Sequence, residues 1–277
     1  MSHSPRIAEV ITKQSKSNLA LALRSLPKER RNDVVTFYAF CRIVDDIADD
    51  LDTAAEEKAI ALNHWKNGLS HGFDSPTEIE NEVVALRDKY GIPNDLFIDL
   101  ISGCEMDLEP LRFQQWEDLQ KYTYKVAGVV GLISLYIFGA DPERSKDYAL
   151  KLGHALQLTN ILRDVGEDLD NGSRIYLPLA DLEKFDYSEA DLLNKVYDER
   201  FIALMEFQYN RALCLYKEAI DSLHPTDYKA LKAARIMGTI YSTLLEKIST
   251  QSFQVFHQRI SISKTRKVLI LLKGMAS

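Results

Sequence analysis

The chain has 277 residues, 46% of them apolar and 27% charged, with a formal net charge of -7, the composition of an ordinary soluble globular protein. The acidic balance argues against a general nucleic-acid binder, which is normally basic, but not against an anionic ligand held through divalent cations between clustered carboxylates. Cys41, Cys104 and Cys214 lie far apart with no CxxC spacing; no zinc site or disulfide framework is indicated, and a reducing cytoplasm fits best.

Residues 1–6 lack the apolar core of a signal peptide. Pro27 sits where a helix can begin. From residue 29 to about 50 there is neither Gly nor Pro, and Val34, Phe37, Tyr38, Cys41, Val44 and Ala48 recur at helical spacing. Breaks follow near 72–76, 91–93, 110 and 139–142, then at 171–172, 178 and 224–225. Between them the spacing predicts helical segments over 96–107, 116–138, 145–169, 191–223 and 226–250. The most apolar stretch, 126–140, is interrupted by glycines and Ser134. It is too short to span a bilayer and reads as a buried helix. No segment alternates with a period of two, and no repeat or linker divides the chain. The expectation is an all-α protein, one domain over 1–277 around a single core.

The first acidic run ends the first helix. At about 100° per residue, Tyr38, Arg42, Asp45 and Asp49 share an arc of about 60° beside the apolar stripe. Carboxylates four residues apart repel and weaken an isolated helix by about a few tenths of a kcal/mol. A cation between them reverses that, and Mg²⁺ suits oxygen-only ligands that bridge to phosphate. Alone, the run is equally well a solvated acidic helix end.

A second run repeats the arrangement. Gln157, Asn160, Asp164 and Asp168 fall within about 80° on a helical wheel, and Asn171 with Gly172 offers a stop. One such run could be a polar helix side. Two separated helices both carrying carboxylates at i and i+4 are a much rarer accident, and facing each other they would form a cage open to a diphosphate.

At these residues the sequence resembles the squalene/phytoene synthase family. The resemblance rests on residues 38–49 (with Tyr38, Arg42, Asp45, Asp46 and Asp49), on 157–168 (with Gln157, Asn160, Arg163, Asp164 and Asp168), on Arg174, Tyr176 and Pro178, on 122–131 and on 259–264. It implies an all-helical isoprenoid synthase fold with a central cavity. By resemblance, Asp45, Asp49, Asn160, Asp164 and Asp168 hold two or three Mg²⁺ ions with diphosphate. Arg42 and Arg163 contact diphosphate oxygens, with guanidinium geometry suited to paired hydrogen bonds. Tyr38, Gln157, Tyr241 and Arg259 match other substrate-contacting positions, and Tyr122 and Tyr176 line the cavity beside the developing carbocation. Family members often carry a His-Ser-Lys-Ser-Phe-like segment near the N-terminus. Here Gln14 and Asn18 replace its His and Phe, while Ser15 and Ser17 keep hydroxyls for phosphate.

The implied reaction is a Mg²⁺-dependent head-to-head condensation of two prenyl diphosphates. One diphosphate leaves, the second double bond attacks the allylic cation, and proton loss closes a cyclopropane. No residue stands out as the general base; released diphosphate or a tyrosine-bound water would serve. Val126, Val129, Val130 and Ile133 are expected to bury the prenyl tails, although the same residues would be plain core in a non-enzyme. Gly128 and Gly131, each costing a helix roughly 1 kcal/mol, make room either for a prenyl chain or for close helix packing.

Farnesyl substrates are the primary expectation, giving presqualene diphosphate, squalene or dehydrosqualene; geranylgeranyl substrates giving phytoene are the alternative. NADPH is required only if squalene is the end product, and the sequence has no glycine-rich dinucleotide fingerprint. A peripheral membrane contact for product release is compatible with a cytoplasmic chain, and the oligomeric state is not read from the sequence. Chain elongation or terpene cyclisation on the same fold, and a non-catalytic helical assembly protein, are the competing functions.

Overall fold

The computed structural model describes residues 25–50, 52–109 and 111–276. The first helix, α1 (Lys28–Asp49), starts after Pro27, whose ring presets the backbone for a helix start. Val34, Phe37, Phe40, Val44 and Ala48 are buried, whereas Tyr38 and Cys41, on the predicted stripe, are only half-buried because they border a cavity. Lys58 Nζ donates to the Ala48 carbonyl at 3.1 Å. It supplies the positive charge that an acidic helix C-terminus lacks.

Helices α2 (Ala55–His71), α3 (Glu78–Tyr90) and α4 (Asn94–Met106) pack with α1 as one group. Phe40 is its hub, with ring centroids 5.2 Å from Trp65 and 5.4 Å from Phe97. Such edge-on pairs add about 0.5–1.5 kcal/mol each beyond area burial. Helix α3 is bounded by a Thr77–Glu80 capping box and by Gly91 at φ 60°, where an L side chain would be strained.

The predicted 116–138 segment is α5 (Trp116–Thr123), a π-helical turn (Tyr124–Gly128) and α6 (Val129–Phe138), closed by Gly139 at φ 77°. A π turn inserts an extra residue and re-aims the helix faces on either side. Helix α7 (Lys146–Asp170) packs against α5, the π turn, α6 and two later helices and is the axis of the fold. It is approached very closely. A Cβ at Gly131 would lie 2.7 Å from the Ala149 carbonyl oxygen, and one at Gly153 would lie 2.8 Å from that of Ala127. Of the two readings of Gly131, tight packing is therefore satisfied directly, and the same glycine also borders the cavity.

Short helices α8 (Leu179–Lys184) and α9 (Glu189–Leu193) precede α10 (Glu199–Ser222). The predicted 191–223 helix is thus broken. Asp198 accepts from the backbone N–H of Arg200 and Phe201 and restarts the helix as its N-cap. Likewise 226–250 divides into a 3₁₀ turn (Pro225–Asp227) and α11 (Lys232–Thr250). There the buried Asp227 turns inward to accept from Ser145 Oγ at 2.8 Å. The final helix, α12 (Lys264–Ala276), packs on α11. Among the described residues there is no strand, and the buried apolar side chains form one continuous cluster.

Candidate functional site

Helices α1 and α7 do not pack closely on each other; both border a cavity of about 670 Å³. Every predicted catalytic, substrate-contacting and metal-ligating residue within the described range lines it. From α1 come Tyr38, Arg42, Asp45 and Asp49; from α7 come Gln157, Asn160, Arg163, Asp164 and Asp168; Tyr122, Tyr176, Tyr241 and Arg259 complete the set. Gln14, Ser15 and Ser17 lie outside the described residues.

The two acidic runs are held by arginines. Arg42 donates to Asp45 at 2.7 Å and pairs with the exposed Asp46. Arg163 donates from Nε to Asp164 Oδ1 at 2.7 Å, both side chains being largely buried. Arg259 reaches Asp164 at 3.1 Å and Glu167 at 3.2 Å. Its approach depends on Gly166, where any Cβ would meet the carbonyl oxygens of Val255 and Phe256. Arg174, from the loop after α7, donates to Asp49 at 2.7 Å and ties the second acidic region to the first.

Electrostatics separate these carboxylates from surface acids. Burial, then the neighbouring Asp49, pushes the Asp45 carboxyl up to about 7, against the pull of Arg42. Burial, then Asp164, lifts Asp168 to about 8, with Arg174 opposing. Fully ionised, the carboxylates of the site would carry more negative charge than its arginines neutralise. Asn160 adds a further sign: its Oδ1 is buried with no hydrogen-bond partner, while its amide donates weakly to Gln157 at 3.4 Å. A desolvated acceptor left bare is rare in a native structure.

These features test the fit of a divalent cation. Among the described residues no group of three His, Cys, Asp or Glu side chains forms a ready-made metal cage. What exists is a set of carboxylate oxygens and one orphaned amide oxygen bordering a single cavity. That donor set suits Mg²⁺, which binds few protein ligands and completes its shell with water and phosphate oxygen. The residues fit the ion.

A second cluster lies on the same wall. The Tyr122 and Tyr176 hydroxyls donate to Asp107 at 2.9 and 3.0 Å. Their rings stack with centroids 5.4 Å apart, and Phe113 lies beside both. Burial pushes Asp107 up to about 6, its two tyrosine hydrogen bonds opposing the rise. Sequence reasoning missed Asp107 because it follows α4 with no acidic partner at i+4. The role of Arg174 has no sequence signal beyond its place just past the second acidic run.

The rest of the cavity is apolar, with Val126, Val130, Leu135, Phe138, Leu156 and Met237 among its lining. Of the four residues expected to face prenyl tails, Val126 and Val130 do so. Val129 and Ile133 are fully buried and not in the lining. The π turn explains the correction: by shifting the phase of α6 it brings 126, 130 and 134 onto the cavity face, while 129 and 133 turn into the packed core. Among the described residues no helix is long and apolar enough to cross a membrane.

Comparison with known proteins agrees with this geometry. The squalene/phytoene synthase family profile matches residues 12–266. The chain is 38% identical to a phytoene synthase of Arthrospira platensis, over 98% of this chain and 92% of that protein. It is 33% identical to a presqualene diphosphate synthase of Zymomonas mobilis, over 93% and 88% of the two. A crystal structure of a dehydrosqualene synthase in complex with ligand superposes with a TM-score of 0.85 at 29% identity, covering 97% of this chain and 94% of that one. The chain belongs to the squalene/phytoene synthase family, and it is an enzyme, a prenyltransferase of the all-helical isoprenoid synthase fold.

Proposed function

We propose that this protein condenses two prenyl diphosphates head to head, as one domain over residues 1–277. The observation that carries this is the meeting of two acidic helices on one cavity whose remaining wall is apolar. Such a cavity can hold diphosphates at its charged end and isoprenoid tails in its interior.

Asp45 and Asp49 on α1, and Asn160, Asp164 and Asp168 on α7, would hold Mg²⁺. When bound, the ion supplies Lewis-acid stabilisation to the departing diphosphate. Arg42, Arg163 and Arg259 now pair with carboxylates of the site. With a metal diphosphate bound, those acids would be free to hold the cation, and the guanidiniums would be released to donate to phosphate oxygens. The arginines then stabilise charge that grows as the first C–O bond breaks.

Tyr122 and Tyr176 present stacked rings to the allylic cation, whose attraction to an aromatic face is worth up to about 2 kcal/mol in a dry site. Because both hydroxyls are committed as donors to Asp107, the rings are held in place while positive charge passes. The apolar lining excludes the water that would quench the cation. The second prenyl double bond attacks, and the proton lost on ring closure passes to released diphosphate or to water on a tyrosine hydroxyl.

Both tail lengths have support. Similarity to presqualene diphosphate and dehydrosqualene synthases favours farnesyl diphosphate; similarity to phytoene synthases favours geranylgeranyl diphosphate. NADPH enters only if a presqualene intermediate is reduced to squalene. The test incubates purified protein with each diphosphate, with and without Mg²⁺ and NADPH, and examines organic and aqueous phases. A coupled product from one tail length, strictly Mg²⁺-dependent, is expected. None from either would overturn the assignment.

A further inference from the structure

The charge of this chain is unevenly placed. Residues 228–277 carry nine Lys or Arg and one acid, Glu246, a local balance of +8 in a chain whose total is -7. Such asymmetry points to an anionic partner for that end of the molecule. The stretch ends in α12, and α12 is not buried like the helices around it. Val268, Leu269, Leu272 and Met275 are between 44% and 58% exposed.

The pattern within α12 is ordered. At about 100° per residue those four side chains share one arc of about 120°. Lys264 falls just beyond one edge of the arc, and Lys273 and Arg266 just beyond the other. Ile270 and Leu271 on the remaining face are buried, with Gly274 packed on Ile236 of α11. Lys267 also falls on this inner side, where burial, then the positive charges of Arg163 and Lys264, lower its affinity for a proton. Helix α12 thus has one face that folds the protein and another, apolar with basic edges, that is exposed among the described residues.

We infer that this outer face of α12 is a peripheral docking surface for an anionic lipid bilayer. An apolar strip a few side chains wide, flanked by Lys and Arg, enters the boundary between headgroups and acyl chains while its charges meet lipid phosphates. Its position suits the work of the cavity. Leu231, Ala233, Ala234 and Met237 line the apolar end, and Ile236, on that same stretch of α11, carries α12. Helices α11 and α12 therefore lie between the tail-binding interior and the exposed strip, a short route between cavity and bilayer for an isoprenoid product.

The test is flotation of the full chain with vesicles of phosphatidylcholine alone and of phosphatidylcholine with phosphatidylglycerol, at low and high salt. Its readout is binding, so it stands or falls separately from turnover. Binding is expected to the anionic vesicles only and to weaken with salt. L269E/L272E should lower partition at least ~10-fold, and K264Q/R266Q/K273Q about 10²-fold at low salt, with unchanged circular dichroism and melting. Leu269 and Leu272 lie outside the catalytic cavity, so turnover of detergent-dispersed substrate should persist in L269E/L272E. No flotation with anionic vesicles, or full binding by either variant, overturns the inference. So does a dimer in sedimentation that L269E/L272E dissolves, which would give the face to a second copy of the chain.

Discussion

Diphosphate binding to this site should release protons, and the number can be worked from the two lifted carboxylates. With Asp45 near 7 and Asp168 near 8, the metal-free site at pH 7 carries about half a proton on the first and about nine-tenths on the second. A divalent cation binds only the ionised forms, so loading with Mg²⁺ and pyrophosphate at pH 7 should release about 1.4 protons beyond those from pyrophosphate itself. Calorimetry in two buffers of different ionisation enthalpy reads that number directly. Asp168→Asn should release about 0.9 proton fewer, while the protons of pyrophosphate cancel between the two proteins. Between pH 8 and pH 6 the fraction with both acids ionised falls about 10²- to 10³-fold, and apparent affinity should fall with it. Equal proton release by wild type and Asp168→Asn at pH 7 would refute the coupling.

The same shifts fix the pH dependence of metal-free stability. Both folded values lie above those of an unfolded chain, so the folded state binds more protons. The stability this contributes is fully present below about pH 4 and is lost as pH rises through the range 7 to 8. Mg²⁺ with pyrophosphate should raise the melting temperature more at pH 8 than at pH 6, and a uniform rise would contradict this.

Asp45→Asn should cut turnover by at least ~10²-fold with the fold retained, checked by steady-state rates beside a melting curve. Asp164→Asn should lose as much turnover, and it should also lower stability by about 3 kcal/mol, since it strands a largely buried Arg163; denaturant titration reads the difference. Asp107→Asn can accept from Tyr122 and Tyr176 only on one atom, so kcat should drop roughly 10-fold with KM little changed, and a KM effect alone would remove Asp107 from cation stabilisation. Gly166→Ala places a Cβ 2.6 Å from the Val255 carbonyl oxygen. It should cost about 1–3 kcal/mol and weaken pyrophosphate binding through Arg259, whereas native melting would show that the 253–259 segment yields freely.

The helical class and the charged end of the cavity were legible because each rests on local periodicity. Tyr38, Arg42, Asp45 and Asp49 share an arc by spacing alone, and the same holds for Gln157, Asn160, Asp164 and Asp168. Features that depend on two elements meeting were not legible. Asp107 is a lone acid past α4 until Tyr122 and Tyr176 arrive from α5 and from the loop beyond α7. Val129 and Ile133 were misplaced because a π turn resets the phase of the following helix, and no residue in 124–128 announces it. The break before α10 turned on Asp198 acting as an N-cap, where sequence periodicity ran on without pause.

The charge balance of the cavity explains why the two runs must be paired. Six carboxylates line it, Asp45, Asp49, Asp107, Asp164, Glu167 and Asp168, against four guanidiniums, Arg42, Arg163, Arg174 and Arg259. With about 1.4 protons held at pH 7 the carboxylates roughly balance the guanidiniums, so a diphosphate entering alone would drive the site into negative excess, and the arginines that could receive it are occupied by acids. Arriving with divalent cations it does the reverse, because the cations satisfy the carboxylates and free the arginines for phosphate. An acidic cavity is thus selective for the metal complex of the anion over the anion itself. Pyrophosphate without Mg²⁺ should therefore bind at least ~10²-fold more weakly than with it. A metal-independent affinity would return the site to a binding role without chemistry.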